Sequence, residues 1–290
     1  MEVAALSLAS VRMNSVDQYH SDLSALLKAG SAGLVVLPAY SSIVLGLSVG
    51  ALMPASDFKS LLGQMPGFCD DWNRRFLDLH SKLARELSIF LAAGTLFESG
   101  NGRHFHTAYC FDPEGEICCK QRQTHLASFE REAGFSRGEE LAIFTADGLQ
   151  AGLVVGNDAR HPEVGRIFAL RGAGLLLHNG ALEAGFNCWP QAAGMWAQVQ
   201  QNQLWSVEAQ LCGTIAGCTF GASSAVIGPC EITPGQSGYL ARGYPQTPVV
   251  TAHLNESARR RIKQKYPLLG LLNPGAYTGL KYGKEHESGA

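Results

Sequence analysis

Polar residues that follow apolar runs are the first places where this 290-residue chain could do chemistry. Tyr40 and Ser41 come just after the run Gly33 to Leu37, and His178-Asn179 closes the run Leu175 to Leu177, so both pairs can line one mouth. Asn157-Asp158 reads as a strand-to-helix turn, where backbone donors and short side chains hold a ligand oxygen. Asp158 has a competing and stronger reading, as a cap for the helix that begins near Pro162 or as a partner of Arg160. Gly46-Leu-Ser-Val-Gly50 fits the G-x-S-x-G of a serine nucleophile elbow, but a chain with 33 glycines produces such matches by chance. His104 and His106 project from one face of a strand, yet no third metal ligand is placed by the sequence, so an exposed polar strand edge is the expectation. Arg259-Arg-Arg261, with Lys263 and Lys265, reads as the solvated face of a helix.

The elements that must hold these residues follow from periodicity. Val3 to Leu8, Gly33 to Leu37, Ile89 to Gly94, His106 to Phe111, Leu153 to Val155 and Leu175 to Leu177 are short apolar runs of the kind that form buried strands. Val16 to Ala29, Trp72 to Leu87 and Pro162 to Arg171 carry apolar residues at three- and four-residue spacing, the pattern of helices with one buried face. Asp112-Pro-Glu-Gly-Glu116 supplies a turn between two strand-like runs, which makes a hairpin. The alternation is that of an α/β layered domain. No repeat or linker breaks residues 1–272, read as one domain, and residues 273–290 read as an extended arm ending in a loose tail.

Composition narrows the class. Charged residues are 17% of the chain against roughly 25% in ordinary soluble domains, so part of the surface is expected to be covered by another subunit. A net charge of −2 offers no field for nucleic acid or acidic lipid. The eight cysteines form no C-x-x-C pair, as expected of reduced thiols in the cytoplasm. Residues 33–53 are the most membrane-like window, but Pro38 and several hydroxyl residues interrupt it, so it reads as a buried strand followed by a loop. The N-terminus lacks the basic flank of a signal peptide. Nothing in the pattern calls for a cofactor.

The order of segments from Val3 to Tyr277 resembles the nitrilase superfamily, the carbon-nitrogen hydrolases. Gly33-Leu-Val-Val-Leu-Pro38 is similar to the family's strand that ends in Pro-Glu, while Ala92-Ala-Gly94 and His106-Thr-Ala-Tyr109 are similar to its next two strands. Gly115-Glu-Ile117 leading to Thr124-His125-Leu126 resembles the segment that carries the family's lysine. Asp158-Ala-Arg160-His-Pro162-Glu163 resembles the D-x-R-x-P-E that follows its cysteine. Gln201-Asn202, Phe220-Gly-Ala-Ser223 and Pro274-Gly-Ala-Tyr277 complete the order. The resemblance implies a four-layer αββα sandwich and a homodimer or higher homo-oligomer, joined in part through the helix at Pro162 to Arg171.

It also implies a nucleophilic mechanism, in which a cysteine attacks an amide or nitrile carbon, a glutamate moves protons and a lysine stabilises the oxyanion. The matching positions here are Ala39, Gln123 and Gly156, none of which can do that work. Lys120 and Arg122 lie at odd offsets from Gln123 on a strand and point to the opposite face. Glu130 matches a further glutamate of the family and reads as a surviving pocket carboxylate or, equally, as a helix-start charge. Cys188 falls in a loop that the resemblance places near the pocket. The expectation is a protein that has lost the family's hydrolysis and binds a small amide, amine, carboxylate or partner protein. The ligand contacts would be Tyr40, Glu130, Asn157, Asp158, His178, Asn179 and Cys188. The alternatives are an enzyme with altered chemistry in a remodelled pocket and a silent subunit in a hetero-oligomer with an active homologue.

Overall fold

The computed structural model describes residues 1–8, 11, 13–65, 70–185 and 188–277. The first half of the chain contains β1 (Glu2–Leu6), α1 (Val16–Lys28), β2 (Leu34–Val36), α2 (Ser41–Ser48), α3 (Phe58–Gln64), α4 (Asp70–Leu87), β3 (Phe90–Gly100), β4 (Arg103–Phe111) and β5 (Ile117–Arg122). The short α5 (Ser128–Glu132) leads to β6 (Ile143–Ala146), β7 (Leu149–Val155), α6 (Pro162–Leu170), β8 (Leu175–Gly180), α7 (Cys188–Gln191), α8 (Ala197–Asn202) and β9 (Trp205–Gln210). The chain then adds β10 (Cys212–Ile215), β11 (Cys218–Gly221), β12 (Ala225–Ile227), β13 (Tyr239–Arg242), β14 (Val249–His253) and α9 (Glu256–Lys265).

Among the described residues there are two six-stranded sheets, ordered β14-β1-β2-β3-β4-β5 and β13-β12-β9-β8-β7-β6. In each, three central strands run parallel, β1-β2-β3 in one and β7-β8-β9 in the other, and antiparallel strands complete the edges. Parallel strands covered on both faces must be apolar on both, which is why the sequence shows runs instead of alternation. The two faces separate residue by residue. Val3, Ala5, Leu34 and Val36 meet Leu153, Val155, Leu175 and Leu177 in the core between the sheets. Ala4, Leu6 and Val35 turn outward to α1 and α4, and Val154 and Leu176 turn outward to α6 and α8. The layers are helix, sheet, sheet, helix, as the resemblance implied.

The helices form where capping and pattern agree. The Ser15 side chain accepts from the Gln18 N–H at the start of α1, and Tyr19, Leu23 and Leu27 form its buried stripe. In α4 the stripe is Trp72, Phe76, Leu79, His80 and Leu83. The hairpin at residues 112–116 is present between β4 and β5, with Gly115 at φ +81° and Asp112 Oδ1 accepting from the N–H groups of Glu114 and Glu116.

Three expectations change. The segment after Pro38 is a helix, α2, and not a loop, so Ser48 ends a helix with its hydroxyl donating to Val44 O at 2.8 Å and no elbow exists. His106 lies on β4, an interior strand, and is buried where an exposed edge was expected. Arg259 is buried against Glu256 and the carbonyl of Gln203, so α9 is not simply a solvated basic face. Of the expected arm, residues 274–277 form a helical turn and residues 278–290 lie outside the described residues. Among the described residues no helix is long and apolar enough to cross a membrane.

Candidate functional site

The carboxyl ends of β2, β7 and β8 converge where the two sheets meet. The Ala39 N–H donates to Gly180 O at 3.2 Å and Asn179 Nδ2 donates to Leu37 O at 2.6 Å, joining β2 of one sheet to β8 of the other. A cavity of about 360 Å³ opens beside this junction. Ala39 and Gly156 lie on it. Tyr40, Phe58, Phe129 and Phe220 give it an aromatic wall, while Asn157, Arg160, His178, Glu183 and Glu208 give it a polar one. Such a mixture, apolar with a few convergent polar groups, is the usual character of a small-molecule site.

Local backbone geometry makes the opening. Gly94 has φ +80°, and a Cβ there would stand 2.4 Å from Pro38 O, so only glycine lets β3 pass this close to the turn after β2. Tyr40 holds φ +60°, a left-handed conformation disfavoured for a side chain of its size, with its N–H donating to Thr95 Oγ1 at 2.8 Å. That strain turns the phenol ring into the cavity, stacked on His106 with centroids 5.1 Å apart and planes within 6°. Burial first, and then the nearby Glu130 carboxylate, pushes the Tyr40 phenol well above the ordinary tyrosine range, so it remains an O–H.

Beneath that ring is a closed polar network. His106 Nδ1 faces two oxygens, Gln123 Oε1 at 2.6 Å and Glu130 Oε1 at 2.9 Å, and must carry the proton. Its Nε2 therefore accepts from the Thr95 hydroxyl at 2.6 Å. Glu130 Oε2 accepts from Gln123 Nε2 at 2.8 Å and from the Ala127 N–H at 2.7 Å. Gln123 thus spends its amide on Glu130, His106 and the His125 carbonyl. Across the cavity, His178 Nε2 donates to Gly156 O at 3.2 Å, and its Nδ1 pairs with Glu208 Oε1 at 3.1 Å. Glu208 also accepts from Gln191 and Gln210.

Of the residues expected to contact a ligand, Tyr40, Glu130, Asn157 and His178 line the cavity together with Ala39 and Gly156. Glu130 unites both of its readings, since it lines the cavity and also holds the first turn of α5. Gln123 stands just behind Gly156, with its Oε1 3.4 Å from where a Cβ would be. Two expected contacts do not reach the cavity. Asp158 is fully buried and its carboxylate accepts from the N–H groups of Thr124 and His125, so it does not cap α6 and does not line the cavity. Asn179 is held by its Nδ2 bond to Leu37 O, and its Oδ1 is buried without a hydrogen-bond partner. The side chain of Cys188 lies outside the described residues. Lys120 and Arg122 point away as expected, to Glu98.

The sequence reading missed the part played here by His106, Thr95, Glu183, Gln191 and Glu208. The alternation of β4 carried the one available signal, because His106 faces opposite to Phe105 on a strand whose neighbours on both sides are paired. Cys218 donates its S–H to Glu183 at 3.4 Å, and burial, followed by that carboxylate, pushes the thiol up to about 11. It is not a thiolate at neutral pH. Behind the Asn157 wall, His125, His161 and Glu163 bring three ligand atoms within 4.8 Å of one another.

The carbon-nitrogen hydrolase family profile matches residues 8–263. The bovine omega-amidase NIT2 is 24% identical over 196 residues, 65% of this chain and 69% of that protein. The mouse omega-amidase NIT2 is 31% identical over 109 residues, but this match spans only 40% of its length and 35% of this chain. Among solved structures, a carbon-nitrogen hydrolase from Helicobacter pylori G27 superposes with a TM-score of 0.74 at 20% identity, covering 95% of both chains. Nit3 of Saccharomyces cerevisiae, a member of branch 10 of the nitrilase superfamily, gives 0.71 at 18% identity, covering 92% of this chain and 94% of its own. With the profile spanning most of its length and the paired sheets on the page, the chain belongs to the carbon-nitrogen hydrolase family.

Proposed function

We propose that this chain is a non-hydrolysing member of its family, which holds a small metabolite carrying an amide, amine or carboxylate. One observation supports this reading above the others. Among the described residues, the cavity wall contains no cysteine, serine, threonine or lysine, and the positions that resemble the family's triad are Ala39, Gln123 and Gly156. A wall that offers no thiol, serine or threonine hydroxyl, or amine lacks the side chains that form the family's acyl intermediate, and it can still bind a carbonyl compound. Removing a single member of such a constellation typically costs about three to six decades in rate. The remaining polar wall, with the Asn157 amide, the Arg160 guanidinium and the His178–Glu208 pair, suits carboxylate and amide groups.

The test is restoration. Ala39→Glu, Gln123→Lys and Gly156→Cys are introduced together, and ammonia release is measured from a panel of amides, nitriles and N-carbamoyl compounds. A thiol-bearing side chain at position 156 has room, since its Cβ would be in ordinary contact with residue 123, although φ +49° makes the backbone unfavourable by about 1–2 kcal/mol. A silent native chain beside a turning-over variant is the expected result. Turnover by the native chain would overturn the reading.

A second reading, an enzyme with altered chemistry or an amidase-like hydrolase, is favoured by the two buried histidine–carboxylate pairs, His106–Glu130 and His178–Glu208, and by relatives named as amidases. It expects native turnover that Glu130→Gln abolishes. Both readings place the chain in the cytoplasm as a homodimer joined in part through α6, where Ile167 and Leu170 are exposed.

A further inference from the structure

We propose that His125, His161 and Glu163 form a binding site for a borderline divalent cation of the zinc type, set behind the cavity wall. Thr124 Oγ1 donates to Asp158 Oδ1 at 2.9 Å, so towards His125 Nδ1, also at 2.9 Å, it can only accept. His125 therefore carries its proton on Nδ1, which also faces Asp158 Oδ1 at 3.3 Å. The other ring nitrogen, Nε2, faces Glu163 Oε1 at 3.3 Å, so the carboxylate and the imidazole already converge on one point. The same carboxylate oxygen lies 3.8 Å from His161 Nδ1.

The surroundings are those of a ligand set held from behind. A fully buried carboxylate, Asp158, and the Thr124 hydroxyl fix the tautomer and ring direction of His125, the arrangement that orients metal-binding imidazoles. His161 precedes Pro162, which keeps it extended at φ −105° and ψ 103° and stacks its ring on His125 with centroids 4.0 Å apart. Glu163 is in the first turn of α6. Two imidazoles and one carboxylate form the donor set of an open tetrahedral zinc site, in which ligand atoms about 2.1 Å from the ion lie about 3.4 Å apart. Glu163 Oε1 stands 3.3 and 3.8 Å from the two imidazole nitrogens and all three ligand atoms lie within 4.8 Å, so the set closes on an ion as the half-exposed rings swing out of their stack. On binding, the His161 proton moves from Nδ1 to Nε2. The Asn157 amide, which now donates to Nε2 at 3.2 Å, turns to present its oxygen. Asn157 also lines the cavity, so the ion and the cavity's occupant share a wall.

The test uses the full chain without an affinity tag, stripped with a chelator and titrated with Zn²⁺ by calorimetry and with Co²⁺ by visible absorption. One equivalent should bind, with the Co²⁺ spectrum of a tetrahedral site. His161→Phe and Glu163→Gln should each raise Kd by about 100-fold, and Thr124→Val by about 10-fold through the lost orientation of His125. His253→Gln, which removes a surface histidine paired with Glu2, should change nothing. At 100 times Kd the folded-to-unfolded ratio of the wild type should rise about 100-fold, and that of Glu163→Gln should not. If His161→Phe fails to fold, the near-isosteric Glu163→Gln carries the comparison. No saturable uptake by the wild type at millimolar ion, or equal uptake by both ligand variants, overturns the site.

Discussion

Glu130 shows how one side chain can serve the cavity and the fold at once. Its two oxygens satisfy His106 Nδ1, Gln123 Nε2 and the Ala127 N–H, all buried or half-buried. Glu130→Ala would orphan the Ala127 N–H and leave His106 and Gln123 with one partner fewer each, and should lower the unfolding free energy by about 1–3 kcal/mol, read as a shifted urea midpoint with an unchanged slope. His80 is legible as a pH-dependent weak point. It is buried in α4, its Nδ1 donates to Phe76 O at 2.8 Å and its Nε2 accepts from the Tyr19 hydroxyl at 3.0 Å. Burial pushes its pKa down to about 4, against an ordinary value near 6.5. Below pH 6.5 the unfolded chain takes up a proton that the folded chain refuses, so stability is lost as pH falls from about 6.5 to about 4 and the loss then levels off. The full loss is about 3 kcal/mol, and His80→Gln should flatten this part of the stability–pH profile. Sequence spacing could mark His80 as one of the buried positions of α4, but the packing of α1 that completes its burial, with the Tyr19 hydroxyl on its Nε2, was not visible.

At the level of elements, α6 fits closely on β7. A Cβ on Gly152 would stand 2.3 Å from Phe168 Cε1, a ring with no exposed surface and no room to rotate away. Gly152→Ala should therefore destabilise by about 2–3 kcal/mol through overpacking, measured by chemical denaturation. The helix was legible from its three- and four-residue apolar spacing, and the strand as the apolar run Leu153 to Val155. Other elements hid for physical reasons. Ser-Ser-Ile-Val-Leu-Gly-Leu-Ser forms α2, but its hydroxyls and β-branched residues carry no amphipathic signal, and the helix exists because it packs on β3 and α4. In β9, Trp205, Val207 and Ala209 face the inter-sheet core while Ser206, Glu208 and Gln210 point the other way. Those polar residues look solvent-facing in sequence, yet all three are buried; Glu208 meets Gln191 and His178 and lines the cavity.

The whole molecule depends on two sheets meeting at the ends of β2 and β8. If the proposed dimer uses α6, then Leu170→Glu, at a position 59% exposed in the single chain, should convert dimer to monomer in light scattering without loss of secondary structure. The sequence by itself was sufficient for an α/β layered domain, because a strand covered on both faces must be apolar on both and a helix covered on one must show a stripe, and those demands act along the chain. The order of the four layers came from the family resemblance of its segments, and the paired sheets have that order. Tertiary structure alone decided which polar side chains meet. Asp158, at a turn that suited a ligand, was taken up by Thr124 and His125, and Asn179 by Leu37, while His106 was delivered beneath the cavity and Glu208 to its wall. Hydrogen bonds and ion pairs between distant segments depend on direction and register across sheets, and neither leaves a period in the sequence.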